Sequence, residues 1–144
     1  MREHFKRIFL DTSPLIYLFD EESPLCPKSE KIFNSILNES DAEIVTSVVT
    51  CAEYLVYPYR TNNDEAVNLF WKFLEECDAS ILNIDIKTAL KAAKIRAEYV
   101  HFKTPDALQL AAAILSGCDL FLTNDNQLKQ FAEIKCVTVE EWEA

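Results

Sequence analysis

The sequence is short of glycine and histidine and has no long apolar run, and each shortage excludes a class of protein. Gly117 is the single glycine, so the chain can form neither a glycine-rich phosphate loop nor a G-x-G-x-x-G dinucleotide turn. His4 and His101 are isolated, and we expect neither to act as a metal ligand or a base. No apolar run reaches the roughly 18 residues that cross a bilayer, and Met1–His4 does not begin a signal peptide, so we predict no membrane segment.

Cysteine is present, but in a pattern that excludes two of its common uses. The number is odd, the positions are scattered, and no C-x-x-C pair occurs. A disulfide framework or a zinc site would need paired cysteines. We therefore predict small buried apolar side chains in a protein of the reducing cytoplasm, at Cys26, Cys51, Cys77, Cys118 and Cys136.

Positive charge is also scarce, since the formal net charge is −10. This disfavours a nucleic-acid partner, because affinity for nucleic acids comes largely from neutralising phosphates. A divalent metal would offset part of the negative charge, and basic residues group locally. One group opens the chain, with Arg2, Lys6 and Arg7, and another comprises Lys87, Lys91, Lys94, Arg96 and Lys103. A solvated helix face explains the second group equally well.

Short β-like runs alternate with amphipathic stretches along the whole chain, which is typical of an α/β fold. We predict one domain over residues 1–144, with a central, mostly parallel sheet of about five short strands flanked by helices on both faces. The strands are expected at 7–11, 43–46, 81–84, 119–123 and 135–138. Helices are expected near 14–20, 28–39, 48–58, 64–77, 86–100, 105–116 and 125–132.

Two acidic residues come directly after apolar runs that are typical of buried parallel strands. Asp11 follows Ile8–Leu10, and Asp125 follows the run that begins at Leu120. Open α/β sheets bind ligands at the carboxyl ends of such strands. Acids that converge there repel one another unless a cation lies between them. Carboxylates and hydroxyls favour a hard cation, so we predict Mg²⁺ or Mn²⁺.

Two further acids belong to helices. Asp106 falls in a helix start, where Thr104 is the expected N-cap and Pro105 fits the first turn. Glu53 lies in a largely apolar helix, where burying an acid is unfavourable unless it is paired or binds a metal. Each acid also has a simpler explanation, because Asp106 stabilises a helix dipole and an exposed helix face accommodates Glu53.

The helices that follow the first and fourth strands have candidate N-cap residues other than Asp11 and Asp125. Thr12 or Ser13 is expected to cap the first helix, which frees Asp11 for chemistry, and Asn124 is a candidate cap for the helix that follows it.

These segments together make the chain resemble a PIN domain, in particular the VapC-type ribonuclease toxins. The matching segments are 9–13 (FLDTS), 46–53 (TSVVTCAE), 103–113 (KTPDALQLAAA) and 121–125 (FLTND), and they occur in family order. The resemblance implies that Asp11, Glu53, Asp106 and Asp125 are the catalytic and metal-binding acids, with Thr12, Ser13 and Thr123 as hydroxyl neighbours. A further acid often lies near the last one in this family, but here the adjacent positions are Asn124 and Asn126.

The expected function is metal-dependent hydrolysis of phosphodiester bonds, and the resemblance alone favours RNA over DNA as the substrate. It also implies a homodimer and a cognate antitoxin protein. We expect Arg96 and Lys103 to border the groove and contact RNA. An apolar excess in the stretches 28–39 and 48–58, together with Tyr54, Tyr57 and Tyr59, indicates either ordinary core or a surface for the antitoxin.

Three alternatives to a nuclease make different demands on the sequence. A haloacid-dehalogenase-type phosphatase needs a second Asp two residues after the first, and position 13 is Ser. A receiver domain needs an acidic pair at the first strand and a Lys after the last strand, and both are missing. A PIN-like protein-interaction or RNA-binding module without nuclease activity predicts the loss of at least one acid, yet all four are present.

Overall fold

The computed structural model describes residues 4–142 and contains one five-stranded sheet. The strands are β1 (Arg7–Leu10), β2 (Glu43–Ser47), β3 (Ser80–Leu82), β4 (Leu120–Thr123) and β5 (Lys135–Thr138). Their order is β3-β2-β1-β4-β5, and every neighbouring pair is parallel. The predicted parallel sheet is therefore confirmed, with strand ends within two residues of the prediction. All carboxyl ends lie at one edge, with β1 at the centre.

The helices connect these strands on both sides of the sheet. They are α1 (Thr12–Phe19), α2 (Cys26–Glu39), α3 (Val48–Tyr54), α4 (Val56–Arg60), α5 (Asp64–Glu76), α6 (Ile86–Glu98) and α7 (Thr104–Leu115). Two predictions need correction. The stretch 48–58 forms two short helices that meet at Leu55, near Pro58, which has no N–H to continue the ladder. The stretch 125–132 is a short 3-10 turn, Asn126–Gln130.

Each face of the sheet carries its own core, because alternate residues of a strand point to opposite faces. Phe9, Val45 and Phe121 pack on one face against α6 and α7, and the rings of Phe9 and Phe121 stack with centroids 5.3 Å apart. Ile8, Leu10, Ile44, Leu120 and Leu122 belong to the other core, with residues of α1, α2 and α5. Covering on both faces explains why the central strands are apolar at every position.

Other expectations from the sequence have mixed outcomes. All five cysteines are free thiols, but only Cys26 is buried and the other four are half-buried. Ile32, Phe33, Ile36 and Leu55 belong to the core, whereas Leu37, Val56, Tyr57 and Tyr59 are exposed. The apolar residues of the stretches 28–39 and 48–58 thus belong partly to the core and partly to the surface. Among residues 4–142 no helix is both long and apolar enough to cross a membrane, and Arg2 lies outside the described residues.

Candidate functional site

Asp11 occupies the carboxyl end of the central strand and is 7% exposed. Its Oδ1 accepts a hydrogen bond from the Thr12 N–H at 2.9 Å, and its Oδ2 accepts one from the Thr123 hydroxyl at 2.7 Å. Asp11 is itself the N-cap of α1, so the expectation that Thr12 or Ser13 would replace it there is wrong. The hydroxyl of Ser13 instead accepts from the N–H of Asn124 at 2.9 Å and ties α1 to the loop after β4.

The protonation of Asp11 reflects this burial. Loss of hydration disfavours the charged form and raises the pKa of Asp11 to about 6, although the Thr123 and Thr12 hydrogen bonds act in the opposite direction. The negative charges of Asp106 and Glu53 raise the same pKa further. All the side chains that donate to Asp11 within the described residues are neutral. A buried carboxylate in this environment is stabilised by an added cation.

Glu53 reaches the same site from α3. Its side chain is exposed, so the expectation of a costly buried acid does not apply, and the simpler alternative of an exposed helix face is correct. The hydroxyl of Thr12 donates to Glu53 Oε1 at 2.7 Å, which connects Glu53 to the residue next to Asp11. Thr12 therefore contacts two of the predicted acids, Glu53 through its hydroxyl and Asp11 through its backbone N–H.

Asp106 lies in the first turn of α7 and is half-buried. The helix begins at Thr104 with Lys103 at the N-cap position and no side-chain capping bond, so the predicted Thr104 cap is displaced by one residue. Burial raises the pKa of Asp106, and the charges of Asp125 and Glu53 raise it further, while Lys103 lowers it. Lys103 is thus close enough to the acids to act on them electrostatically.

Asp125 follows β4 and caps the 3-10 turn through Oδ1, which accepts from the Gln127 N–H at 3.0 Å. Its own N–H donates to Thr123 Oγ1 at 3.1 Å. The prediction that Asn124 caps this turn is therefore wrong, since Asp125 is the N-cap. Thr123 contacts Asp125 and Asp11 with one hydroxyl group, and it links the two strand ends.

The four acids share one region but do not form a closed metal cage. Asp11 is affected by the charges of Asp106 and Glu53, and Asp106 by those of Asp125 and Glu53. Across residues 4–142, no group of three Asp, Glu, His or Cys side chains is arranged to hold a metal ion. The donor set nevertheless suits a hard cation, because all the acids offer carboxylate oxygens and their neighbours are hydroxyls. Ligation by several of them would require side-chain rotation, and the exposed Glu53 would then give up its hydrogen bond from the Thr12 hydroxyl.

Gln109 is the residue of this site that the sequence reasoning missed. It is fully buried one turn after Asp106, and its Nε2 donates to Thr50 Oγ1 at 2.7 Å and more weakly to Asp11 Oδ1 at 3.5 Å. Its Oε1 accepts from the Ser47 hydroxyl at 2.5 Å. A polar side chain within the otherwise apolar run from Ala107 to Leu115 was the available signal. The amide joins α7 to the ends of β1 and β2 and limits the movement of Asp11.

Replacing this amide tests its role. We expect Gln109→Leu to lower the free energy of unfolding by about 1–3 kcal/mol, because the buried hydroxyls of Ser47 and Thr50 lose a partner. Chemical denaturation measures the change, and Gln130→Leu, at an exposed position of the 3-10 turn, is the matched control. Equal stability of the two variants would show that the amide is not a structural link.

Comparison with known proteins identifies the family of this chain. The sequence profile of the PIN domain family matches residues 8–134, which include all four acids. The chain belongs to the PIN domain family.

Several solved structures share the fold. A toxin–antitoxin complex from Klebsiella pneumoniae is 25% identical, with a TM-score of 0.68 and coverage of 92% of this chain and 97% of that chain. A VapC toxin from Mycobacterium tuberculosis that cleaves the sarcin–ricin loop is 16% identical, with a TM-score of 0.70 and coverage of 89% and 98%. A VapBC complex from Rickettsia felis, bound to a DNA fragment from its promoter, is 14% identical, with a TM-score of 0.70 and coverage of 92% and 98%. No curated protein sequence gave a significant match.

Proposed function

We propose that this protein is a Mg²⁺- or Mn²⁺-dependent endoribonuclease and the toxin of a toxin–antitoxin pair. The observation that carries the proposal is the grouping of Asp11, Glu53, Asp106 and Asp125 at the carboxyl edge of a PIN-domain sheet, with Asp11 buried among neutral partners. The likeness to a toxin that cleaves the sarcin–ricin loop supports RNA as the substrate class.

Each residue has a distinct role in the proposed hydrolysis. Asp11, Asp106 and Asp125 would hold a divalent cation, which when bound would supply polarisation of the phosphoryl group and a lowered pKa for a water molecule. Asp11 is the fixed ligand, since hydrogen bonds hold both of its oxygens. Asp106 and Asp125 complete the acidic set, and the exposed Glu53 orients the attacking water or binds the cation through water. The Thr123 hydroxyl donates to the Asp11 carboxylate and accepts from the Asp125 N–H, so it holds the two residues close together. No protein nucleophile is required.

The direct test is cleavage of a single-stranded RNA in the presence of Mg²⁺, compared with DNA of the same sequence. We expect internal cuts in the RNA and little or no cleavage of the DNA. A purified protein that binds RNA without cutting it, at any divalent metal, would instead support the alternative of a PIN-like interaction or RNA-binding module.

The proposed partner is a cognate antitoxin, and it is expected to cover the acidic groove. Toxin–antitoxin complexes from Klebsiella pneumoniae and Rickettsia felis have chains of this fold. A basic side chain of the antitoxin would offset the clustered carboxylates. The five free thiols support the cytoplasm as the place of action, since disulfides are rare there.

The proposed homodimer has a suitable surface on α6. Ile86 and Leu90 are 80% and 61% exposed, and with the exposed Ala93 and Ala97 they form one helical face. Antiparallel pairing with a second copy would place Ile86 against Ala97 and Leu90 against Ala93. The α6 face of one copy is therefore complementary to the α6 face of the other, because each large side chain packs against a small one.

A single substitution tests this surface. We expect the wild type to have twice the chain mass of 16.5 kDa in light scattering, and Leu90→Glu to shift it toward a monomer because the charge would be buried at the pairing face. Leu69→Glu, at another exposed leucine on α5, is the matched control. A dimeric Leu90→Glu variant would place the interface elsewhere.

Lys103 and Arg96 are proposed to contact RNA beside the acidic site. Lys103 lowers the pKa of Asp106, and the Arg96 Nε donates to the Phe102 carbonyl at 3.1 Å, so both lie near the start of α7. We expect neutralising both to weaken RNA binding more than neutralising Lys28 and Lys31 of α2. Fluorescence anisotropy with Ca²⁺ in place of Mg²⁺ measures this, and equal losses for the two pairs would contradict it.

A further inference from the structure

The short helix α4, which follows α3 and its Glu53, carries an exposed aromatic ring and a basic side chain. Although α3 ends at Tyr54, Leu55 keeps helical angles of φ −76° and ψ −7°. The Leu55 N–H donates to the Cys51 carbonyl at 3.1 Å, and the Tyr59 N–H donates to the Leu55 carbonyl at 3.0 Å. Leu55 has αR angles but belongs to neither helix, so α3 and α4 are separate helices joined at this residue. Two exposed residues three positions apart lie on one face of α4, four and seven residues after Glu53 in the chain.

Those two residues are Tyr57 and Arg60. Tyr57 is 73% exposed, and within residues 4–142 its ring stacks on no other aromatic ring. The Arg60 guanidinium is exposed and makes no ion pair inside the described part of the chain. Unpaired cations are notable in a chain of net charge −10. Arg60 closes α4, the helix that directly follows the one carrying Glu53.

We propose that Tyr57 and Arg60 form a binding subsite for single-stranded RNA beside the acids. A base stacks on the exposed face of the Tyr57 ring, and the guanidinium of Arg60 binds a phosphate of the same strand. Aromatic rings combined with arginine are a common means of binding unpaired nucleotides, since every base has a face to stack and every linkage has a phosphate. The subsite rests on the proposed ribonuclease function and extends it by selecting unpaired strands.

The position of the pair favours RNA over a protein partner. Glu53, four residues before Tyr57, is connected to the acidic site through the Thr12 hydroxyl at 2.7 Å. A strand held at Tyr57 would therefore lie near the carboxylates. Tyr59 has almost the same exposure, at 62%, but lies on a different face of α4. It supplies a control that keeps the helix and the residue type and changes only the direction of the ring.

The experiment measures binding of a short, labelled, single-stranded RNA by anisotropy, with Ca²⁺ replacing Mg²⁺. We expect Tyr57→Ala to raise Kd about ten-fold, which lies within the range that stacking of one base supplies, and Tyr57→Phe to bind like the wild type. Tyr59→Ala is expected to change Kd less than about two-fold. Arg60→Gln should raise Kd and reduce its salt dependence, whereas Lys31→Gln should do neither. In cleavage assays the Tyr57→Ala change should appear in KM, with kcat retained.

The outcomes separate this inference from the proposed function. If the wild type cleaves RNA but Tyr57→Ala and Tyr59→Ala bind it equally well, the subsite is wrong while the function stands. A Tyr57→Ala variant that binds RNA normally but no longer assembles with the antitoxin, or changes its mass, would reassign the face to a protein partner. A wild type that neither binds nor cleaves RNA would overturn both proposals.

Discussion

Asp11→Asn and Asp106→Asn are each expected to reduce RNA cleavage by more than about 100-fold while the fold persists. Both variants remove a carboxylate from the proposed cation site. In the absence of metal they should be as stable as the wild type or more stable, because burial and, after it, mutual repulsion raise the pKa of both acids, and an amide carries no charge to desolvate or repel. Cleavage rates at saturating Mg²⁺ and thermal unfolding without metal measure the two effects.

Asp41→Asn is the matched control, since Asp41 is an exposed acid in the turn before β2. It should change neither cleavage nor stability. Full metal-dependent cleavage by both site variants would refute the assignment of the acids. Loss of folding in both would assign Asp11 and Asp106 a structural role instead.

Removal of divalent metal is expected to abolish cleavage and to reveal a pH dependence of stability that originates at Asp11. Its pKa rises from an ordinary value of 3.8 to about 6 in the folded chain. Between these values the folded state binds more protons than the unfolded state, so the free energy of unfolding of the metal-free protein falls as pH rises through this window. A shift of about two units corresponds to roughly 3 kcal/mol.

Comparison with Asp11→Asn isolates this contribution. Glu141 acts in the opposite direction, because hydrogen bonds from Lys129 and Thr138 lower its pKa to about 2, but it is the same in both proteins. The difference in unfolding free energy between wild type and Asp11→Asn, measured with EDTA from pH 4 to pH 7, should grow with pH. Mg²⁺ should stabilise the wild type more at pH 7 than at pH 5, since protons compete for the carboxylate. A difference that does not vary with pH would contradict the raised pKa.

The arrangement of strands was largely predictable from the sequence, because short apolar runs mark each buried strand. Ile8–Leu10 and Leu120–Thr123 are apolar at every position, which a strand covered on both faces requires. Parallel strands have their carboxyl ends at one edge, so the positions of Asp11 and Asp125 in the sequence already placed them together. The spacing of the acids in family order then indicated the PIN domain that the profile match confirms.

Tertiary structure decided how each side chain is used, since that depends on neighbours far apart in sequence. Glu53 lies in an apolar segment, yet it is exposed because the opposite side of α3 faces the protein. Asp11 and Asp125 serve as caps themselves, although hydroxyl and amide residues stood beside them. Gln109 lies in sequence far from Asp11 and Ser47, and only the packing of α7 against the ends of β1 and β2 brings its amide to both. Sequence patterns report the period and polarity of an element, whereas hydrogen-bond partners and desolvation follow from the three-dimensional packing of separate elements.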